Sequence, residues 1–272
     1  MPYEPVGEID IYYETHGPPE APPLVLIGGW ASYSWTWFRQ IPAFRNRYRC
    51  VVFDNRGAGR SSKPDYPYSI EMFAEDVVGL MDALDIDRAH ILGISMGGLI
   101  AQQIAISYPK RVRSLILVST HFGGPNHVPI DDKTKALLIA IPTETISRAQ
   151  ATEMRFRAIF SSQFLQESKS LIESMETWAN QHPAPLYAQV HQSSAVGEFN
   201  SESELRNVTV PTLILHGDSD SAVPTRNGEL LARTIPKSKL IILENASHFI
   251  TIEKYEEVNN AVMEFIDSVE KG

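Results

Sequence analysis

Cysteine is nearly absent from this sequence, which contains one, Cys50. One thiol cannot form a disulfide within the chain, and the apolar residues that follow it favour a buried thiol over a nucleophile. A fold held together by disulfides, as in small secreted proteins, is therefore excluded. Stability must come from a hydrophobic core, and 272 residues are enough to form a large one.

Positive charge is also scarce. The chain has 24 Lys and Arg residues and 33 Asp and Glu residues, which give a formal net charge of −9. This charge repels phosphate backbones and anionic lipid, so we expect no nucleic acid partner. No apolar run reaches membrane-spanning length, and the initial residues, MPYEPVGEID, lack the basic and apolar parts of a signal peptide. We expect a cytoplasmic protein without a membrane span.

Apolar runs of strand type alternate with helical patterns through most of the chain. Residues 6–15 alternate in polarity and predict an antiparallel edge hairpin. Buried-strand runs follow at 24–27, 50–53, 90–94, 115–118, 212–215 and 240–243, and helical spacing is clearest over 70–84, 99–105, 226–234 and 255–269. This order predicts an α/β fold with a mostly parallel, doubly wound sheet.

Between residues 122 and 206 the strand-like runs disappear and helical spacing takes over. We predict one core formed by residues 1–121 and 207–272, with 122–206 inserted as a helical lid between two strands. Apolar residues of this segment, such as Ile159, Met175 and Trp178, either line an acyl pocket or only pack the lid onto the core. The sequence leaves both alternatives open.

The pentapeptide Gly93-Ile94-Ser95-Met96-Gly97 lies where a strand pattern changes into a helical one. Such a change over one residue forces that residue toward positive φ, and glycines two positions before and after it supply the clearance. This is the nucleophile-elbow pattern, which exposes a serine hydroxyl beside the backbone N–H of the next residue. Ser95 is therefore a candidate nucleophile, and the strand and helix around it disfavour a chance match.

Three further loops follow predicted strands and carry polar groups or glycines. Asp218 and Asp220 follow the strand at 212–215, and His248 follows the strand at 240–243. The carboxyl ends of parallel strands meet at one edge of a sheet, so these side chains can gather around Ser95. Gly28-Gly29-Trp30, after the strand at 24–27, either turns backbone N–H groups toward a ligand or forms only a tight turn.

Metal and nucleotide sites are both disfavoured. His216, Asp218 and Asp220 do not have a recognised metal-ligand spacing, and a metal there would leave Ser95 unexplained. Residues 54–61, DNRGAGRS, lack the third glycine of a dinucleotide fingerprint. We expect no metal and no cofactor, and we predict that Asp54 and Arg56 form a supporting pair.

Taken together, the motifs resemble the α/β-hydrolase superfamily, in particular its lid-bearing serine esterase, enol-lactonase and carbon–carbon bond hydrolase branch. The resemblance covers essentially the whole chain and rests on Gly28-Gly29-Trp30, Asp54-x-Arg56-Gly57-x-Gly59-x-Ser61, Gly93-x-Ser95-Met96-Gly97-Gly98, His216-Gly217-x-x-Asp220-x-x-Val223-Pro224 and Ser247-His248-Phe249. Its serine nucleophile disfavours the epoxide hydrolase and haloalkane dehalogenase members.

The resemblance implies a role for each matching residue. Ser95 is the nucleophile, His248 the general base and then acid, and Asp220, in preference to Asp218, orients the imidazole. The backbone N–H groups of Trp30 and Met96 stabilise the oxyanion. Many members have His-Gly where this chain has Gly28-Gly29, so we expect the usual side-chain hydrogen bond that steadies this loop to be missing.

These observations predict a serine hydrolase that cleaves carboxylic esters of small to medium, fairly apolar molecules through an acyl-enzyme on Ser95. Two alternatives remain. One is a lactone or carbon–carbon bond hydrolase that uses the same triad, and the other is a ligand-sensing homologue without turnover. The sequence does not predict the physiological substrate, the chain-length preference or the oligomeric state.

Overall fold

A sheet of eight strands forms the centre of the computed structural model, which describes residues 2–271. The strands are β1 (Tyr3–Val6), β2 (Ile9–His16), β3 (Pro23–Ile27), β4 (Arg49–Phe53), β5 (Ala89–Ile94), β6 (Val112–Val118), β7 (Thr212–Gly217) and β8 (Ser238–Leu243). Their spatial order is β1-β2-β4-β3-β5-β6-β7-β8. β1 pairs with β2, and β2 with β4, in antiparallel fashion, whereas the pairs from β4 to β8 are parallel. The predicted edge hairpin and mostly parallel sheet are confirmed.

Helices cover both faces of this sheet. They are α1 (Gln40–Phe44), α2 (Ile70–Ala83), α3 (Met96–Ser107), α4 (Asp132–Leu138), α5 (Arg148–Ile159), α6 (Ser162–Glu167), α7 (Lys169–Ala179), α8 (Leu186–Glu198), α9 (Glu202–Leu205), α10 (Arg226–Thr234), α11 (Ile250–Glu253) and α12 (Tyr255–Glu270). None of the helices in residues 2–271 combines the length and apolarity needed to cross a membrane.

Alternate residues of each central strand enter two separate parts of the core. In β3, Val25 and Ile27 pack in the cluster that contains Phe73 of α2, while Leu24 and Leu26 pack in the cluster that contains Val258 of α12. Side chains alternate between the two faces of a strand, so a parallel strand between two helical layers must be apolar at every position. This explains the continuous apolar runs in the sequence.

The chain between β6 and β7 forms α4 to α9 and, apart from one bridge between Gly123 and Asn200, no strand pairing among its described residues. We call residues 122–206 the helical insert. Both alternatives for its apolar side chains occur: Ile159 borders a cavity, whereas Met175 is buried in the core and the Trp178 ring packs against Phe38.

The predicted pair between Asp54 and Arg56 is wrong. Arg56 instead makes a two-pronged ion pair with Asp76 of α2, with both N···O distances 2.6 Å. The Asp54 carboxylate accepts hydrogen bonds from the backbone N–H and the Nε of Arg60. The reason is the turn: Gly59 has a φ of 52°, and a Cβ there would lie 2.3 Å from Asp54 Oδ2, so the chain folds Arg60 back onto Asp54.

Candidate active site

Ser95 lies at a sharp bend between β5 and α3, with a φ of 56° and a ψ of −122°. Both flanking glycines are sterically necessary there. A Cβ on Gly93 would lie 2.1 Å from the carbonyl oxygen of Gly97, and a Cβ on Gly97 would lie 2.1 Å from that of Ile27. This conformation costs a non-glycine residue about 1–3 kcal/mol and is characteristic of functional sites. The strained bend predicted from the sequence is present.

His248 and Asp220 are brought together by the loops that follow β8 and β7. Nδ1 of His248 lies 2.8 Å from Oδ2 of Asp220, and the Asp220 side chain is fully buried. Its other oxygen, Oδ1, accepts a hydrogen bond from the backbone N–H of Val223 at 2.8 Å. The carboxylate therefore holds the imidazole at Nδ1 and leaves its Nε2 available for proton transfer.

A second imidazole, His216, supports the same carboxylate. Its Nε2 lies 2.8 Å from the carbonyl oxygen of Val223 and 3.3 Å from Oδ2 of Asp220. A carbonyl oxygen can only accept, so we assign the proton to this nitrogen. The sequence placed His216 in a disfavoured metal site and in a motif of the family resemblance, without a role of its own. Its position at the end of β7, four residues before Asp220, was the signal for this supporting contact.

The pKa of Asp220 falls to about 2 despite its burial. Burial by itself raises the pKa, but the positive charge of His248 and the hydrogen bonds from His216 and His248 outweigh it. Asp220 is therefore ionised at neutral pH, where it can stabilise a positive charge that develops on His248.

Asp218, the alternative acid, is exposed and bonded elsewhere. Its Oδ1 accepts hydrogen bonds from the Ser219 hydroxyl at 2.8 Å and from the Ala246 backbone N–H at 3.3 Å. The geometry thus favours Asp220 over Asp218 as the partner of His248. Nor does any group of three or more His, Cys, Asp or Glu within residues 2–271 have the arrangement of a metal site.

The structure also places His121 near these residues, although no sequence signal marks it. Its ring stacks on that of His127 with centroids 4.7 Å apart. Burial, together with the neighbouring His127, His248 and His216, lowers the pKa of His121 to about 3. His121 is therefore neutral at physiological pH and adds no positive charge near His216 and His248.

Ser95 and His248 line the same cavity, which has a volume of about 490 Å³. More than half of its lining residues belong to the helical insert, and its apolar wall includes Phe156, Ile159 and Phe160. Residues 2–271 show no direct hydrogen bond between Ser95 Oγ and the His248 ring. Such contacts are often long in free enzymes and shorten in the substrate complex. The volume is suitable for a small organic molecule.

The loop that follows β3 lies against Ser95. A Cβ on Gly29 would be 3.3 Å from the Ser95 Cβ. Among the described residues, neither the backbone N–H of Trp30 nor that of Met96 has an acceptor. Met96 is also the first residue of α3, where the helix dipole favours negative charge. Two unused donors next to a serine can stabilise a negative oxygen that forms there.

Side chains from other parts of the chain hold this loop in the absence of a histidine at position 28. The buried Gln192 of α8 accepts from the Ala31 N–H at 2.8 Å and donates to the Arg56 carbonyl at 2.8 Å. Asn55 donates to the Gly28 carbonyl at 3.1 Å. Gln192 could not be identified from the sequence, because a glutamine in a helix carries no local signal of a partner 161 positions away.

We expect Gln192→Ala to lower kcat for p-nitrophenyl butyrate about tenfold with little change in KM. The substitution leaves the partly buried Ala31 N–H and the buried Arg56 carbonyl unpaired, so the loop loses its fixed position beside Ser95. Steady-state kinetics and the thermal midpoint are the measurements, with Gln163→Ala, an exposed glutamine of α6, as the control. A lowered thermal midpoint with unchanged kcat would show that Gln192 serves only stability.

Comparison with known proteins identifies the family of this chain. The model of the family described as alpha/beta hydrolase fold matches residues 22–255. The 3-oxoadipate enol-lactonase 2 of Acinetobacter baylyi is 30% identical over 260 residues, which cover 94% of this chain and 92% of that protein. The pimeloyl-[acyl-carrier protein] methyl ester esterase of Aeromonas hydrophila is 30% identical over 234 residues, or 84% and 89% of the two chains.

Solved structures are similar to this chain over nearly its whole length. The enol-lactonase from Burkholderia xenovorans LB400 has a TM-score of 0.85 and 25% identity, covering 98% of this chain and 100% of that one. The resemblance inferred from the sequence motifs is confirmed. With the matched model spanning most of its length, this chain belongs to the alpha/beta hydrolase fold family.

Proposed function

We propose that this hydrolase cleaves carboxylic esters through a covalent acyl-enzyme on Ser95. The observation that supports this proposal is the shared cavity, in which the strained Ser95 faces the same space as His248, and His248 is bonded to the buried Asp220. A serine, an imidazole and a carboxylate in this relation form the constellation used for acyl transfer.

In the proposed mechanism, Nε2 of His248 takes the Ser95 hydroxyl proton while Oγ attacks the ester carbonyl carbon. The N–H groups of Trp30 and Met96 stabilise the resulting oxyanion, and each such donor contributes about 3–4 kcal/mol to the transition state. His248 then protonates the leaving alcohol, and the acyl group stays on Ser95. Water activated by His248 hydrolyses this intermediate, which restores the free serine.

The helical insert, in this proposal, is a lid over a core formed by residues 1–121 and 207–272. It contributes most of the apolar wall of the cavity, including Leu138, Phe156 and Phe160. Burial of apolar surface there favours small to medium acyl or alcohol groups of fairly apolar character. The insert would therefore determine substrate preference.

A lactone is the second candidate substrate. Its support is the similarity to 3-oxoadipate enol-lactonase 2 over 94% of this chain. A lactone is a cyclic ester, so the same serine, imidazole and donors can open its ring. The geometry suits both reactions, so kinetic constants must distinguish ester hydrolysis from lactone hydrolysis.

A substrate panel tests the proposed function. We expect kcat/KM for p-nitrophenyl butyrate to exceed that for a simple enol-lactone, and for a vinylogous ring-fission diketone, by about tenfold or more. Faster opening of the lactone, or faster cleavage of the diketone, would replace the ester hydrolase proposal with that activity. Covalent labelling by a fluorophosphonate without turnover of any substrate would indicate a ligand-sensing role.

A further inference from the structure

The charged lining of the cavity is entirely cationic. Arg148 and Arg155 line it, and no Asp or Glu does, in a chain whose formal net charge is −9. Within residues 2–271, neither guanidinium lies within ion-pair distance of a carboxylate. By contrast Arg157, on the same helix, pairs with Glu153 at 2.6 Å. The two cavity arginines therefore bring positive charge that the protein itself does not neutralise.

Neutral groups hold Arg155 in position. Its Nε donates to the Ala140 carbonyl at 2.9 Å, and its Nη2 donates to Oε1 of Gln189 at 3.1 Å. Its guanidinium carbon lies 5.6 Å from the centroid of the Trp30 ring. The Nη1 group has no acceptor among the described residues. Arg155 is thus oriented by contacts that leave donors unused beside the loop next to Ser95.

This arrangement disfavours the charged form of Arg155, as the lowered pKa of its guanidinium shows. Burial lowers it from its ordinary value, and the positive charge of Arg148 lowers it further. An anion bound between the two arginines would relieve both effects. A guanidinium with free N–H donors is also well suited to bind a carboxylate through two parallel hydrogen bonds.

We propose that Arg155, with the more exposed Arg148, binds a carboxylate on the substrate, so that the preferred esters are monoanionic, such as half-esters of dicarboxylic acids. This inference rests on the proposed ester hydrolysis. Phe156 and Ile159 line the same cavity as Arg155, where they can contact the alkyl part of such a molecule. The cation then selects the substrate, while Ser95 and His248 perform the reaction.

Two matched pairs of esters test this inference. The first is mono-p-nitrophenyl adipate against p-nitrophenyl hexanoate, with the carboxylate on the acyl chain. The second is 4-carboxyphenyl butyrate against phenyl butyrate, with the carboxylate on the alcohol. We expect the anionic member of at least one pair to have about tenfold higher kcat/KM, mainly through a lower KM.

Variants of Arg155 test whether this residue causes the preference for anionic esters. Arg155→Met should remove the preference, measured as the ratio of kcat/KM for the anionic ester to that for the neutral ester in each pair, whereas Arg155→Lys should retain part of it. Arg157→Met, outside the cavity, is the matched control and should keep the full preference. Absence of any preference in the wild-type protein, or its survival in Arg155→Met, would overturn the inference while ester hydrolysis stands.

Binding of adipate itself separates this inference from the proposed function. If the wild-type protein cleaves none of the four esters, the proposed function fails, and calorimetry with adipate decides the anion site. Adipate binding to wild type and Arg157→Met, with at least tenfold weaker binding to folded Arg155→Met, supports the site. Equal binding to all three proteins, or binding to none, refutes it.

Discussion

Ser95→Ala is expected to lower kcat for p-nitrophenyl butyrate about a millionfold, because the residues of a triad act as one unit. The substitution removes only the side-chain hydroxyl group, and contacts of the Ser95 backbone hold the bend. The Ser95 N–H donates to the Val118 carbonyl at 3.0 Å, and Thr120 donates to the Ser95 carbonyl at 2.8 Å. Initial rates and active-site titration are the measurements, with the exposed Ser203→Ala as the matched control.

Ser95→Gly extends this test to the strain of the bend. Glycine adopts positive φ at little cost, so this variant should be as inactive as Ser95→Ala but about 1 kcal/mol more stable than the wild-type protein. Denaturant unfolding measures the difference. Near-normal ester hydrolysis by either variant would refute the assignment of Ser95 as nucleophile. Equal stability of Ser95→Gly and the wild-type protein would show that the backbone at Ser95 is not strained.

Asp220→Asn is expected to lower kcat about 10⁴-fold, as loss of the orienting carboxylate does in other serine hydrolases. The variant removes the charge that stabilises protonated His248 and places an amide opposite Nδ1. Asp218→Asn is the matched control. Its side chain is exposed and bonds Ser219 and Ala246, so its kcat should change by less than about threefold. A larger loss in Asp218→Asn would reverse the assignment of the acid.

Asp220→Asn should also change the pH dependence of stability. The folded-state pKa of Asp220 lies near 2, below its ordinary value of 3.8. Its ionised form therefore stabilises the fold above about pH 4, and this contribution is lost as the pH falls toward 2. Acid unfolding followed by circular dichroism should show a weaker pH dependence in this range for Asp220→Asn than for the wild-type protein.

Features that depend on residues close together in the sequence could be predicted from it. The periods of the apolar runs predicted the strands and the main helices, and the glycines around Ser95 predicted the bend. Both rest on local sterics and on the geometry of one strand or helix. The gathering of Asp220 and His248 followed from a topological rule, since both residues follow parallel strands of one sheet.

Where the sequence analysis failed, the partners were chosen by packing over long distances. Arg56 pairs with Asp76 instead of Asp54, because α2 packs beside the turn and Gly59 folds Arg60 toward Asp54. No pattern in residues 54–61 carries that information. The choice of Asp220 over Asp218, by contrast, followed from the family resemblance, and the positions of the two side chains relative to His248 supply its physical reason.

By itself the sequence determined the sheet, the bend at Ser95 and the set of residues at one sheet edge, because each follows from backbone sterics and the repeat of apolar side chains. Tertiary structure alone decided that Gln192 and Arg155 of the helical insert meet the loop beside Ser95. Those contacts join residues more than 100 positions apart. They depend on how the insert packs on the core, and no local preference of the chain encodes that packing.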